Sequence, residues 1–510
     1  MIIDSHVHLP QLGKPQKWDY MLQEAGKNEI NLMIASHLGD WSAYPTKRII
    51  SEANIAAREF ADYAQGRVLW LAYLNPQLNN WREELNTCVE NGACGIKLWI
   101  SLKDSNGSLD NTIAVLKEST KLKLPVLLHT FNRTDENSPG TITIREFVEL
   151  SRICPECVMI AAHAGGNWRH SLGVLKECSS NAYFDVCGGY PDSEMVETLS
   201  KHEGAERVLF GSDAIGRSFA SQTAKVIFSN ISEEAKEYIF WKNAAKIYNI
   251  KAIPSLMECK GAEVIKSELP SLDEEHFCFC GTWPFWESTC KTPKALNQIL
   301  VENKIQQAYV GDLNSLFRSD LFIANSTFLN SCKGLDRIVP LAILNPLAHN
   351  WRQVILEAAK NGFAGGLVSP YLHSWQLDHP AFDDFFQLCA ENKLKLWINC
   401  DLADHRFRHN ALNARPVTVV ELAEFIKKVP DNQYVLQGIP SGDVAILLEQ
   451  FNDNKKLFFE FSRLTDTQDG LQSILRSFGN KHIVAGSEFP FRHIKETRYV
   501  IELDEYAKAT

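Results

Sequence analysis

The sequence predicts an α/β protein made of two tandem parallel (β/α)8 barrels, the second a degenerate copy of the first. The first observation behind this is a long internal repeat. Residues 71–95 recur at 341–365, pairing Asn75 with Asn345, Trp81 with Trp351, Arg82 with Arg352 and Gly92 with Gly362. The second is a matching pair further on, where Gly211-Ser212-Asp213 answers Gly486-Ser487-Glu488 and Pro155 answers Pro430. Offsets this long mark a duplicated domain rather than a solenoid repeat. The third is alternation: in each half short apolar runs alternate with amphipathic segments, about eight βα units in roughly 250 residues, as a barrel requires. The first barrel is assigned to residues 1–253, a polar linker to 254–275 and the second barrel to 276–510.

The opening strand, residues 2–9, carries His6 and His8. Side chains alternate along a strand, so both imidazoles project to one side, roughly 7 Å apart. A rigid strand aims two such rings well enough to share one metal ion. Further strands are expected at 31–36, 68–74, 94–99, 125–129, 158–163, 182–186 and 207–212. Helical patterns lie between them, among others at 81–91, 112–121, 143–153 and 192–202. The second copy repeats the count from 277–280 to 482–486. Barrel enzymes work at the C-terminal ends of their strands. There the first copy places His6, His8, His129, His163 and Asp213 around one mouth. Imidazole and carboxylate together suit Zn²⁺, with Mn²⁺, Fe²⁺ and Co²⁺ as competitors.

Composition narrows the partners. The chain has 510 residues, 45% hydrophobic and 22% charged, with a formal net charge of −10. No clustered Lys/Arg run is present, which argues against nucleic acid and acidic membrane surfaces. No apolar run approaches the roughly 18 residues that span a bilayer. The first strand begins at Met1 with no charged leader before it, so no signal peptide is expected. The 13 cysteines are scattered, as suits reduced thiols in a cytoplasm. Cys154-Pro155-Glu156-Cys157 and Cys278-Phe279-Cys280 lack a matching second pair and are read as structural.

Asp4-Ser5-His6-Val7-His8, Gly95-Ile96-Lys97-Leu98, Leu128-His129, Ala162-His163-Ala164-Gly165-Gly166 and Leu209-Phe210-Gly211-Ser212-Asp213 occur in order, closed by residues 241–248. In these motifs the first barrel resembles the amidohydrolase superfamily. The likeness is to its mononuclear branch, which includes aminocarboxymuconate semialdehyde decarboxylase and pyrone dicarboxylate lactonase. The chain starts on strand one, which fits a branch without the added β-sandwich. The resemblance implies one catalytic divalent ion, with His6, His8, His129 and Asp213 as ligands and His163 acting beside it. It implies a metal-dependent hydrolase acting on a small carboxylated or cyclic substrate through a metal-activated water. The alternatives are a decarboxylase of the same branch or an inactive binding or scaffold protein. Some superfamily members carboxylate the lysine after strand four to bridge two metals. Lys97 is therefore read either as carboxylated or as a charge contact to substrate. Chemically, Asp213 can move a proton between water and leaving group, while His163 can steady an oxyanion or protonate a carbon.

The second copy acts as an internal control. Pairing Pro10 with Pro284 sets His6 opposite Cys280 and His8 opposite Thr282. His129 then falls near Asp401, His163 opposite Gly438, Asp213 opposite Glu488 and Lys97 opposite Leu367. Features kept in both copies, namely Asn75, Pro76, Trp81, Arg82 and Asp185 (matched by Glu460), are assigned to the fold. The imidazoles, lost from copy two, are assigned to chemistry. Lys97, His37 and Arg217 are candidate substrate contacts, with Arg169 and His170 behind them. The loops at 99–112 and 130–141, which would read a small-molecule substrate, carry no decodable motif. The second barrel is expected to be folded, metal-free and silent, and to complete an intrachain pseudo-dimer that can associate further. The basic segment Asp404–His409 is read as an exposed polar loop, and it is the place to look for a contact between barrels.

Overall fold

The computed structural model describes residues 1–9, 15–102, 108–134, 137–172, 175–190, 192–256, 270–429 and 432–509. Most of the predicted linker (257–269), parts of both predicted substrate loops (103–107 and 135–136), Pro10 and Pro430 lie outside the described residues. The chain divides into two compact units, each built on an eight-stranded sheet. In the first the order is β1 (Ile3–His8), β2 (Leu32–Ser36), β3 (Val68–Leu74), β4 (Gly95–Leu98), β5 (Val126–Leu128), β6 (Met159–Ala161), β7 (Ala182–Asp185) and β8 (Val208–Leu209). The second runs β9 (Glu274–Cys280), β10 (Gln307–Asp312), β11 (Ile338–Leu344), β12 (Gly365–Val368), β13 (Leu396–Asn399), β14 (Tyr434–Gln437), β15 (Leu457–Glu460) and β16 (Ile483–Val484). All neighbouring strands are parallel.

Both faces of these strands are covered, which is why they read as near-continuous apolar runs. Successive residues serve different cores. Val126, Leu128, Met159 and Ala161 join one apolar cluster, whereas Leu127 and Ile160 join another with Ile3, Ile34 and Leu209. The intervening helices arise from the usual signals. Ile144–Ile153 opens on a capping box, in which Thr143 accepts from Glu146 N and Glu146 accepts from Thr143 N. It buries Ile144, Phe147, Val148 and Ser151, the spacing of one helical face.

β6 and β8 fall furthest short of their predicted bounds, and the difference bears on the site. β6 stops at Ala161, so His163 sits in the turn beyond it. β8 has only two residues, and Asp213 lies four residues past its end. Backbone bonds across the seam join β1 to this extension: Ser5 N to Phe210 O at 3.0 Å, Asp213 N to His6 O at 2.8 Å and His8 N to Ala214 O at 2.6 Å.

The corresponding seam of the second barrel corrects the copy register. Glu488 N donates to Phe277 O and Phe279 N to Phe489 O, at 3.1 and 2.6 Å. One bulge of the same size interrupts β1 after Asp4 and β9 after Glu275. His6 is therefore opposite Phe277 and His8 opposite Phe279, not Cys280 and Thr282. The proline match fails because it anchors beyond the strand, where chain length is free to drift, rather than on the hydrogen-bonded strand. Likewise β5–β6 and β13–β14 pair in equivalent registers, which sets His129 opposite Asn399 rather than Asp401. Lys97/Leu367, His163/Gly438, Asp185/Glu460 and Asp213/Glu488 stand as predicted.

The repeated Asn-Trp-Arg serves helix starts. Arg82 lies over the Trp81 ring and Arg352 over Trp351, 4.2 and 4.1 Å from the centroids. Asn75 and Asn345 each accept from a backbone N–H two residues on. No disulfide joins the described cysteines. Among the described residues no helix is long and apolar enough to cross a membrane.

Candidate metal centre

The site grows out of β1. His6 and His8 share a face, and each ring is held through its Nδ1. His6 Nδ1–H donates to Asp185 Oδ2 at 2.9 Å, and His8 Nδ1 lies 3.0 Å from Ser36 Oγ. A carboxylate only accepts, so the His6 proton sits on Nδ1 and its Nε2 keeps a lone pair. The two Nε2 atoms face each other at 3.1 Å. Asp213 Oδ1 completes the group, 3.9 Å from His6 Nε2 and 3.4 Å from His8 Nε2. All three ligand atoms lie within 4.8 Å of one another. Two imidazole lone pairs and a carboxylate converging in this way, with outer partners fixing the rings, are a donor set that fits a divalent cation.

Lys97 stands inside this group. It is fully buried, and its ammonium donates to His6 Nε2 at 2.8 Å. Burial lowers its pKa to about 8, against the opposing pull of Asp213, Cys187 and Asp185. Burial also pushes the His6, His8 and His163 imidazoles well below their usual value, and the charge on Lys97 adds to this. The rings are thus neutral, the form in which imidazole binds metal. Asp4, one layer deeper, accepts from Ser212 N at 3.0 Å and His6 N at 3.2 Å, and burial raises its pKa to about 7.

His163 and His129 form a second pair, with His163 Nε2 3.1 Å from His129 Nδ1. His129, predicted as a fourth ligand, is held by this contact and lies parallel to the Phe131 ring. His163 has φ +59°, a left-handed conformation costly to a residue with a β-carbon. Its counterpart Gly438 holds the same conformation at φ +74° without that cost, so the imidazole is the reason to bear the strain in the first barrel. Glycine is required beside it: a Cβ on Gly188 would lie 2.3 Å from His163 Nδ1.

The remaining predicted residues divide. His37 is buried and turned to its own loop, where Nδ1 accepts from Gly39 N at 2.9 Å. The Arg217 guanidinium lies over the Tyr190 ring, 5.8 Å from its centroid. Neither joins the imidazole group. Three residues not predicted for the site do. Asp185, assigned above to the fold, orients His6 and also accepts from His163 N at 2.8 Å and Cys187 N at 3.2 Å. Cys187, grouped with the structural thiols, has its sulfur 2.9 Å from His6 Nδ1 and 3.2 Å from His163 Nδ1. Ser36 ends β2 beside His8. The only sequence signal for them is position at a strand end, and the acid that copy two keeps opposite Asp185 masks its part in the site. At the mouth Trp41, 54% exposed, stands edge-on to His8 and to Trp99 at 5.4 and 5.8 Å between centroids.

Residues 3–250 match a family model described as Amidohydrolase. No curated protein matches the chain. Similar solved structures include 2,6-dihydroxybenzoate decarboxylase from Rhizobium, 19% identical over 49% of this chain and 99% of that one, TM-score 0.39. They also include 4-oxalomesaconate hydratase from Rhodopseudomonas palustris, 15% identical over 49% and 96%, TM-score 0.38. A third is a dihydroxybenzoic acid decarboxylase from Polaromonas sp. JS666 with bound manganese and the inhibitor 2-nitroresorcinol. It is 16% identical over 49% and 97%, TM-score 0.40.

Proposed function

We propose that the first barrel, which matches the Amidohydrolase family model, is a metal-dependent hydrolase of that family acting on a small carboxylated or cyclic substrate. The observation that carries the reading is the convergence of His6 Nε2, His8 Nε2 and Asp213 Oδ1, with the far side of His6 tied to Asp185. His6, His8 and Asp213 hold the ion, and His129 supplies the fourth ligand from just past β5. Zn²⁺ suits the donors best, with Mn²⁺, Fe²⁺ and Co²⁺ as competitors. A divalent ion held there lowers the pKa of water and polarises a substrate oxygen.

The chain's own groups do the rest. Asp213 is 21% exposed while His6 and His8 are at most 5% exposed, so its carboxylate is the group that meets solvent. It accepts the proton of the attacking water and returns it to the leaving group. His163 donates a hydrogen bond to the developing oxyanion. Lys97 provides a buried positive charge for a substrate carboxylate, and Trp41 and Trp99 exclude water from one side of the mouth. A second reading, decarboxylation, is favoured by the His129–His163 contact, because coupled imidazoles can relay a proton to a carbon centre. Metal-loaded protein assayed against lactones, amides and carboxylated aromatics distinguishes the two, since only decarboxylation releases CO₂. The variant His6→Ala/His8→Ala is expected to lose metal and activity while keeping its circular-dichroism spectrum. Full activity in that metal-free variant would sink the assignment.

A further inference from the structure

The second barrel meets its mouth with a different chemistry. Phe277, Phe279 and Asn399 stand where His6, His8 and His129 stand in the first barrel, yet the acid opposite Asp213 is retained as Glu488. A buried carboxylate needs a positive partner. The partner comes from an exchange of side chains between two positions. In the first barrel His163 carries the ring, and Gly188 must be bare to admit it. In the second the counterpart of His163 is Gly438, and the counterpart of Gly188 is Arg463. At Gly438 the backbone of Asp401 comes within 2.3 Å of where a Cβ would stand, and the second barrel carries a guanidinium at the position opposite Gly188 instead.

Arg463 is 3% exposed and stands among three carboxylates. Its Nε lies 3.3 Å from Glu488 Oε2, one Nη 3.7 Å from Asp466 Oδ2, and the other 3.8 Å from Asp401 Oδ2 and 3.2 Å from Ala403 O. The outer sides of two of these acids are taken by other arginines, Asp401 by Arg408 and Asp466 by Arg492, which also reaches Glu496. Arg408 belongs to the basic segment singled out in the sequence as the place to look for a contact between barrels. Arg408 pairs with Asp401 of its own barrel. Glu488 is pushed up by burial and pulled back by Arg463 and Arg492.

We propose that Arg463 is the fixed cation of the second barrel: its guanidinium gathers Glu488, Asp466 and Asp401 as an ion gathers ligands in the first. The mouth is thereby held shut and neutralised without a metal. Guanidinium suits the task because it stays protonated when buried and presents five donors in one plane. The inference rests on contacts within the second barrel and does not require the first barrel's reaction.

The test is thermal unfolding of the full chain carrying Arg463→Ala, Arg463→Met or Arg463→Lys, with bound metal measured in parallel. The methionine variant refills the volume without the charge and is expected to unfold roughly 5–10 °C below wild type. Lysine should retain most of the wild-type Tm. Millimolar guanidinium, far below denaturing concentrations, should raise the Tm of the alanine variant and leave the methionine variant unmoved. A rise with Mn²⁺ would support the same conclusion, since the need is for positive charge. First-barrel metal content should be unchanged throughout. A methionine variant as stable as wild type overturns the proposal, as does an alanine variant that neither cation stabilises. If the alanine variant does not fold, soluble yield decides: lysine folding where methionine fails supports the proposal, and both folding or both failing refutes it.

Discussion

Replacing Asp185 by asparagine tests how much of the metal centre depends on one outer hydrogen bond. The carboxylate performs two tasks: Oδ2 accepts from His6 Nδ1, and Oδ1 accepts from the His163 and Cys187 backbone amides. Asparagine keeps one oxygen, which the two backbone donors claim. The NH₂ group then faces His6 Nδ1 and demands an acceptor there, moving the ring proton to Nε2. That is the atom facing His8 Nε2 at 3.1 Å. A protonated Nε2 cannot bind metal, so the variant loses a ligand although no ligand is mutated. Loss of such an outer partner costs about 10–100-fold in metal affinity, or about 1.4–2.8 kcal/mol. Competitive chelator titration followed by elemental analysis measures the loss, and circular dichroism checks the fold. Wild-type affinity in folded Asp185→Asn would show that the His6 tautomer is set by something else.

Two further expectations rest on the same cluster. In metal-free protein the Lys97 pKa is lowered from 10.5 to about 8, which at about 1.4 kcal/mol per decade corresponds to roughly 3 kcal/mol. Below pH 8 the folded and unfolded states are both protonated at Lys97 and the full cost of the buried charge is present. Between pH 8 and 10.5 only the unfolded state keeps the proton, so stability should rise with pH. Buried thiols such as Cys94, Cys157 and Cys187, whose pKa burial raises, pull the other way in this window, so denaturant unfolding should show a more positive slope in wild type than in Lys97→Met. Parallel wild-type and Lys97→Met profiles would mean that the lysine is not a buried ammonium. His163→Asn, with metal retained, should lower kcat by roughly two decades, the usual worth of a general acid or oxyanion donor. Unchanged kcat together with lost metal would instead make His163 a ligand.

The fold and the mouth are legible in the sequence because strands that are buried on both faces leave continuous apolar runs, and the ligand pair sits within one such run. The turns beyond the strand ends are less legible. His163 and Asp213 lie in left-handed turns past short strands, at φ +59° and +60°, and turn geometry carries no periodicity. Asp185, Cys187 and Ser36 reach the site from β7 and β2, across 179 residues of sequence in the case of Asp185 and His6. No local pattern encodes such a contact. The copy register misleads at β1 for a related reason: a proline beyond the strand shifts with insertions, whereas the bulge and seam of the strand do not.

Comparing the copies residue by residue shows what each acid is for. Asp4, Asp185 and Asp213 all become glutamates: Glu275, Glu460 and Glu488. None is lost, whereas every imidazole of the group is. The two deeper acids keep their backbone partners. Asp4 and Glu275 accept from Ser212 N and Ser487 N, at 3.0 and 2.7 Å. Asp185 and Glu460 accept from the amides of Cys187 and Ser462. These carboxylates tie the loops at the strand ends, a task independent of metal, and in the first barrel Asp185 orients His6 as well. Retention in both copies therefore proves a structural duty without excluding a chemical one. Of the imidazoles His163 also reaches a backbone group, Cys187 O at 3.4 Å, yet phenylalanine, asparagine and glycine stand in the imidazoles' places on the same strands and turns. It follows that residues serving only the chemistry could be discarded together when one barrel no longer needed it, while those serving both were lengthened by a methylene and kept.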